Sequence, residues 1–145
     1  MKRDIKFRAW DVRGEQMYEV SQLVSKSSEE GWLCFTPNNP LALAEYILLQ
    51  STGLKDKNGI DIYESDIVRI LYTDWCSKSA TDTRTLEQYL IDIAEIGKIE
   101  YVAPTFYVMI KNRFGEWSKD SIFCGKHGYI EVIGNLYQHP NLINQ

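Results

Sequence analysis

The sequence is poor in the residues that build metal and redox sites. Among its 145 residues are only three cysteines and two histidines. Cys34, Cys76 and Cys124 are far apart and odd in number, with no CxxC pair. That excludes a zinc ribbon and argues against a disulfide framework. It leaves three reduced, mostly buried thiols in a reducing cytoplasm as the expectation. His127 and His139 stand in polar, turn-like surroundings beside Gly128 and Pro140. Cys124 and His127 offer an i,i+3 pair, but a metal site needs three or four converging ligands and no second pair is present. The same two residues could form a nucleophilic dyad, yet nothing marks an oxyanion hole or a third member.

Long apolar runs are also missing. Leu41 to Leu49 is the longest, contains Glu45, and falls far short of the ~20 residues that span a bilayer. The basic start, Met1 to Phe7, leads into no apolar stretch, so a signal peptide is not expected. Positive charge is not in excess: 16 Lys and Arg face 20 Asp and Glu, a net charge of −4. This argues against non-specific duplex binding and leaves room for a local basic face. Thr52-Gly53-Leu54-Lys55 lacks the GxxxxGK[ST] spacing of a phosphate-binding loop. No internal repeat, low-complexity tract or Pro/Gly linker divides the chain.

What is present reads as strands. Hydrophobic residues make up 44% and charged residues 25%, an ordinary globular balance. A chain of this length buries enough surface to fold without disulfides or metal, as one domain or two small lobes. Ile5 to Trp10 alternates with period two, placing Ile5, Phe7 and Ala9 on one face. A turn at Asp11–Glu15, with Gly14 free for positive φ, leads to a second strand at Met17–Val20. Trp32–Phe35 is a third short strand. Leu41–Gln50 is either a short helix or a turn leading into a strand at Tyr46–Gln50. Asn58-Gly59 predicts a type I′ hairpin turn. Asp66–Tyr72 has two mostly apolar faces, the mark of a central strand. Thr73–Thr85 reads as a loop. From Arg84 a short helical turn gives way to a long strand through Tyr101. Further strands follow at Thr105–Ile110, from Trp117, at Ile122–Cys124 and at Tyr129–Ile133. Short strands with turn signals between them predict a mainly β protein, a barrel or sandwich with minor α content. The chain reads as one compact protein in which any boundary falls just before Thr52, between a β-hairpin region at 1–51 and a barrel region at 52–145.

Chemistry is harder to find. Asp61, Glu64 and Asp66 could hold a cation or act as paired acid–base carboxylates. Asp56, Asp61 and Asp66 are better read as turn residues that bond nearby backbone N–H groups. Aromatics reach 12%. Trp75 follows a strand in a polar loop beside Tyr72, and Trp117 lies near a turn beside Arg113. Trp, Tyr and Arg are enriched at binding hot spots, so Tyr72, Trp75, Arg113 and Trp117 are the candidate partner contacts. The competing reading is that these rings cap the open ends of a barrel. The sequence marks no catalytic residue, no cofactor and no metal ligand.

Three blocks carry a family resemblance. Ile5-Lys6-Phe7-Arg8-Ala9-Trp10-Asp11 with Met17-Tyr18 resembles the opening of the YopX proteins of phages and prophages of Gram-positive bacteria. Thr52 to Gly59, running on to Ile62-Tyr63-Glu64-Ser65-Asp66-Ile67-Val68, is similar to that family's central signature. Tyr129 to Tyr137, with Pro140 and Leu142, resembles its closing strand and tail. The family usually has Gly where Ser65 stands, and Thr73–Ala94 matches nothing in it. The resemblance implies a mainly β protein with an SH3-like barrel in its second part, a phage or prophage origin, and residence in the bacterial cytoplasm. It implies no activity.

The expectation is therefore a non-enzymatic accessory protein that binds a host or phage protein through its loops, with no membrane association. The alternative is a nucleic-acid-binding module in which bases stack on aromatic residues. A small hydrolase using Cys124 and His127 or the acidic cluster ranks last. A homo-oligomer through edge strands is the default assembly.

Overall fold

The computed structural model describes residues 5–26, 31–38, 45–71, 79–92, 94–112, 114–121 and 129–144. The protein is mainly β, as its alternating sequence predicts, and its strands fall in three antiparallel sheets. The first sheet has the order β2-β1-β5-β6, from β1 (Phe7–Asp11), β2 (Gln16–Glu19), β5 (Tyr46–Lys55) and β6 (Asp61–Tyr63). A two-stranded ribbon joins β3 (Gln22–Ser25) to β4 (Trp32–Phe35). The third sheet curls as a half-barrel, in the order β10-β9-β8-β7-β11. Its strands are β7 (Asp66–Leu71), β8 (Glu95–Val102), β9 (Thr105–Lys111), β10 (Trp117–Ser121) and β11 (Tyr129–Asn135). A short helix, α1 (Leu86–Asp92), precedes β8, and a 3-10 turn at Pro140–Ile143 follows β11. No helix among the described residues is long and apolar enough to cross a membrane.

The larger core lies inside the half-barrel. Alternation in β9 sends Phe106, Val108 and Ile110 inward, where they meet Ile99 of β8 and Val68 and Ile70 of β7. Ile62 of β6 completes this cluster, so the first sheet contributes to the core of the third. β7 is an interior strand, with Ile67, Val68, Ile70 and Leu71 all buried, as its two apolar faces predict. A smaller core gathers Ala9 and Cys34 with Tyr18, Val20, Leu23 and Tyr46. Cys34 is a buried free thiol, and burial pushes its pKa up. Cys76 and Cys124 lie outside the described residues.

Several local expectations are corrected. Ile5 is exposed rather than sharing a buried face with Ala9, because it precedes the first strand. Ala9 and Trp10 are both buried, since Tyr137 stacks on the Trp10 ring at 5.8 Å and covers the face that simple alternation assigns to solvent. In the first turn the positive φ belongs to Glu15, at 50°, and not to Gly14. Leu41–Gln50 resolves in favour of the strand reading at its end: β5 starts at Tyr46 and continues to Lys55. It runs through the point, between Ser51 and Thr52, where the sequence divides the chain. Its first half pairs with β1 and its second with β6. The hairpin after it does not use a type I′ turn. Only Gly59 takes positive φ, at 81°, and the Asp56 N–H donates to the Ile60 carbonyl across a longer loop.

Candidate functional site

The turn between β9 and β10 sets the position of Trp117. The Asn112 carboxamide oxygen accepts from the Phe114 and Glu116 N–H groups, both at 2.9 Å, and Gly115 supplies φ of 85°. The Asn112 N–H then donates to the Glu116 carbonyl at 2.8 Å, closing the turn. This register places Trp117 opposite Lys111, and Lys119 opposite Met109. On the other side of β9, Lys98 lies opposite Met109 and Glu100 opposite Tyr107. Side chains alternate along a strand. Because Phe106, Val108 and Ile110 point into the core, Tyr107, Met109 and Lys111 must point out, with Lys98, Trp117 and Lys119 beside them.

Two rings on this outer face are each overlaid by an ammonium group. The Lys98 Nζ sits 4.9 Å from the Trp117 ring centre, and the Lys119 Nζ sits 4.2 Å from that of Tyr107. Lys98 also pairs with Glu100. Trp117 remains 40% exposed, and Phe114 at the adjoining turn is 75% exposed. A cleft of about 640 Å³ opens at that end, between the turn and the C-terminal segment, lined by Ile96, Lys111, Phe114 and Ile143. Trp117 is thus part of an exposed sheet face. Tyr72, Trp75 and Arg113 lie outside the described residues, as do Cys124 and His127. Sequence reading missed Tyr107, Lys98 and Lys119. The strict alternation of Thr105 to Lys111 assigns Tyr107 to the outer side of its strand, but only strand pairing brings Lys98 and Lys119 beside it.

The acidic cluster does not act as one set. Asp61 bridges Lys6 and Lys55, each at 2.7 Å, and those two hydrogen bonds hold its carboxyl below the usual range. This corrects the turn role expected of it. Asp66 is buried and points away into a different environment, where it accepts from the Tyr63 N–H at 2.8 Å, from the Asn135 amide at 3.3 Å and from the Arg8 guanidinium. Burial pushes its pKa up against the opposing pull of Arg8. Arg8 in turn lies 4.5 Å over the Tyr63 ring. The described residues bring together no group of three or more His, Cys, Asp or Glu that could hold a metal ion.

Arg8, Asp66 and Asn135 come from the opening, central and closing sequence blocks, and here they form one buried junction. Trp10 and Tyr137 stack beside it, again joining the first block to the last. The YopX family model matches residues 6–144. This chain belongs to the YopX family. Residues from all three signature blocks meet at this junction, which ties the sheets together. The chain is similar to a crystal structure of a protein from Enterococcus faecalis, at 26% identity over 98% of this chain and 99% of that one, with a TM-score of 0.51. It also shares its fold with the crystal structure of YopX from Bacillus subtilis, at 22% identity over 95% of each chain and a TM-score of 0.57. No curated protein matches the chain.

Proposed function

We propose that this YopX family member is a non-enzymatic accessory protein of a phage or prophage. It works in the bacterial cytoplasm by holding a macromolecular partner. The carrying observation is Trp117, exposed on the outer face of β8–β10 with Lys98 over its ring. Exposed aromatic residues flanked by cations are common anchors of recognition surfaces. The half-barrel is read as SH3-like, which accords with recognition through surface aromatics by analogy of fold alone. The sequence points to a protein as that partner, and capture with and without nuclease separates it from nucleic acid.

The test is capture from a host-cell lysate by the tagged protein, with Trp117→Ala in parallel and with or without nuclease. We expect a specific component retained by the native chain and lost from the variant. The same material retained equally by both would remove this face from the proposal.

A further inference from the structure

The outer face of β8, β9 and β10 has a charge opposite to that of the chain. The whole sequence carries −4. The side chains that the strand register places on this face include Lys98, Lys111 and Lys119 against one carboxylate, Glu100, which is itself paired with Lys98. Such a face complements a polyanion. The rings narrow the class. Tyr107 and Trp117 offer flat π surfaces, and the faces of nucleobases are open to stacking only where the strand is unpaired.

We infer that this face binds single-stranded nucleic acid, with bases stacked on Trp117 and Tyr107 and phosphates met by Lys98, Lys111 and Lys119. The inference rests on the reading of the same face as the recognition surface. Each ammonium over a ring occupies the place a base would take. A lysine stem is long and flexible, so an arriving base displaces the ammonium towards the neighbouring phosphate. Tyr107 lies opposite Ser121 and Trp117 opposite Lys111, so the rings stand four residues apart along β9, about 13 Å. That separation accommodates two distinct bases rather than one sandwiched base. The cleft beside Phe114 and Lys111 extends the path beyond Trp117.

The test uses the full chain and a fluorescent oligothymidine of about twelve nucleotides, a length suited to a small β domain. Anisotropy should show saturable binding. Three lysines displacing counterions from a single strand weaken it about twentyfold between roughly 50 and 200 mM salt. Trp117→Ala should weaken it about ten- to a hundredfold. Lys119→Glu should weaken it at low salt, and the deficit should shrink as salt rises. Trp32→Ala, exposed on the separate β3–β4 ribbon, should bind as the native chain does. Circular dichroism establishes that each variant is folded, and the lysine variant keeps the test open should Trp117→Ala misfold. A duplex of the same length binding as well as the single strand would overturn the inference, as would no saturable binding at low salt. If the oligonucleotide is not bound while Trp117→Ala still abolishes capture from lysate, the occupant is a protein and only this inference falls. If neither assay responds to Trp117, both it and the proposed role of the face fall.

Discussion

A buried carboxylate stays ionised when enough backbone N–H groups point at it. Burial alone would raise Asp56, but the N–H groups of Ile60, Val132 and Asn58 donate to it at 2.9, 3.1 and 2.8 Å and bring its pKa below the ordinary value. Two of these donors belong to its own turn and one to β11, so the side chain fixes the hairpin and ties it to the half-barrel. A folded pKa below the unfolded one means that the stabilisation is complete above about pH 4 and is lost as pH falls through the lower folded value. Asp66 works in the opposite sense: its raised pKa makes stability fall as pH rises from the ordinary value to the raised one. Asp56→Asn should therefore lower stability at pH 7 by about 1–3 kcal/mol, since one backbone donor then faces an NH₂ group. The loss should shrink near pH 2. Urea unfolding at the two pH values checks this, and an equal loss at both would show that ionisation of Asp56 is not what holds the turn.

Turns, more than strands, show where sequence and structure part company. The connection from β6 to β7 is only Glu64 and Ser65, and Ser65 takes φ of 65°. Its N–H donates to the Ile99 carbonyl at 2.8 Å and its carbonyl accepts from the Leu136 N–H at 3.0 Å. The backbone is thus clamped by β8 on one side and by the segment after β11 on the other, and it keeps the left-handed conformation although the residue is not glycine. Ser65→Gly should relieve the Cβ strain and stabilise the protein by about 1 kcal/mol, raising Tm by about 2–4 °C. A lowered Tm would mean that the extra freedom gained by the unfolded chain outweighs the relief. The same contrast governs what could be read beforehand. β7 and β9 were legible because the first is apolar on both faces and the second alternates, and those patterns survive folding; β1 was legible as a strand, although its alternation does not survive, Ala9 and Trp10 both being buried. The turn at Asn58-Gly59 was legible as a hairpin but not as to type, because the Asp56 carboxylate imposes a longer loop. Trp117 could be singled out as an aromatic near a turn. Its neighbours Lys98 and Tyr107 could not, because their meeting depends on the pairing of three strands, which no local pattern encodes.

At the scale of the molecule, the question is whether the sheets are one cooperative unit. β5 runs from the first sheet's pairing with β1 into its pairing with β6, and β6 places Ile62 in the core of the half-barrel. The Arg8–Asp66 pair crosses between the same sheets, with 17% of the Arg8 side chain and 1% of the Asp66 side chain exposed. Stacking of Trp10 on Tyr137 adds a second crossing. Elements that share a strand, a core residue and a buried ion pair lose all of these at once, so unfolding should be a single transition. Far-ultraviolet dichroism, which follows the strands, and the fluorescence of the four tryptophans, Trp10 at the junction among them, should give coincident urea curves. Asp66→Ala leaves the Arg8 guanidinium buried without its carboxylate and removes the acceptor of the Tyr63 N–H. Breaking a buried pair from one side costs about 3 kcal/mol. If the junction is what couples the sheets, the variant should lose stability by that amount and its two curves should separate, the fluorescence change coming first. A variant destabilised to the same degree with curves still coincident would place the coupling in β5 and Ile62 instead, and would reduce the ion pair to a local contact.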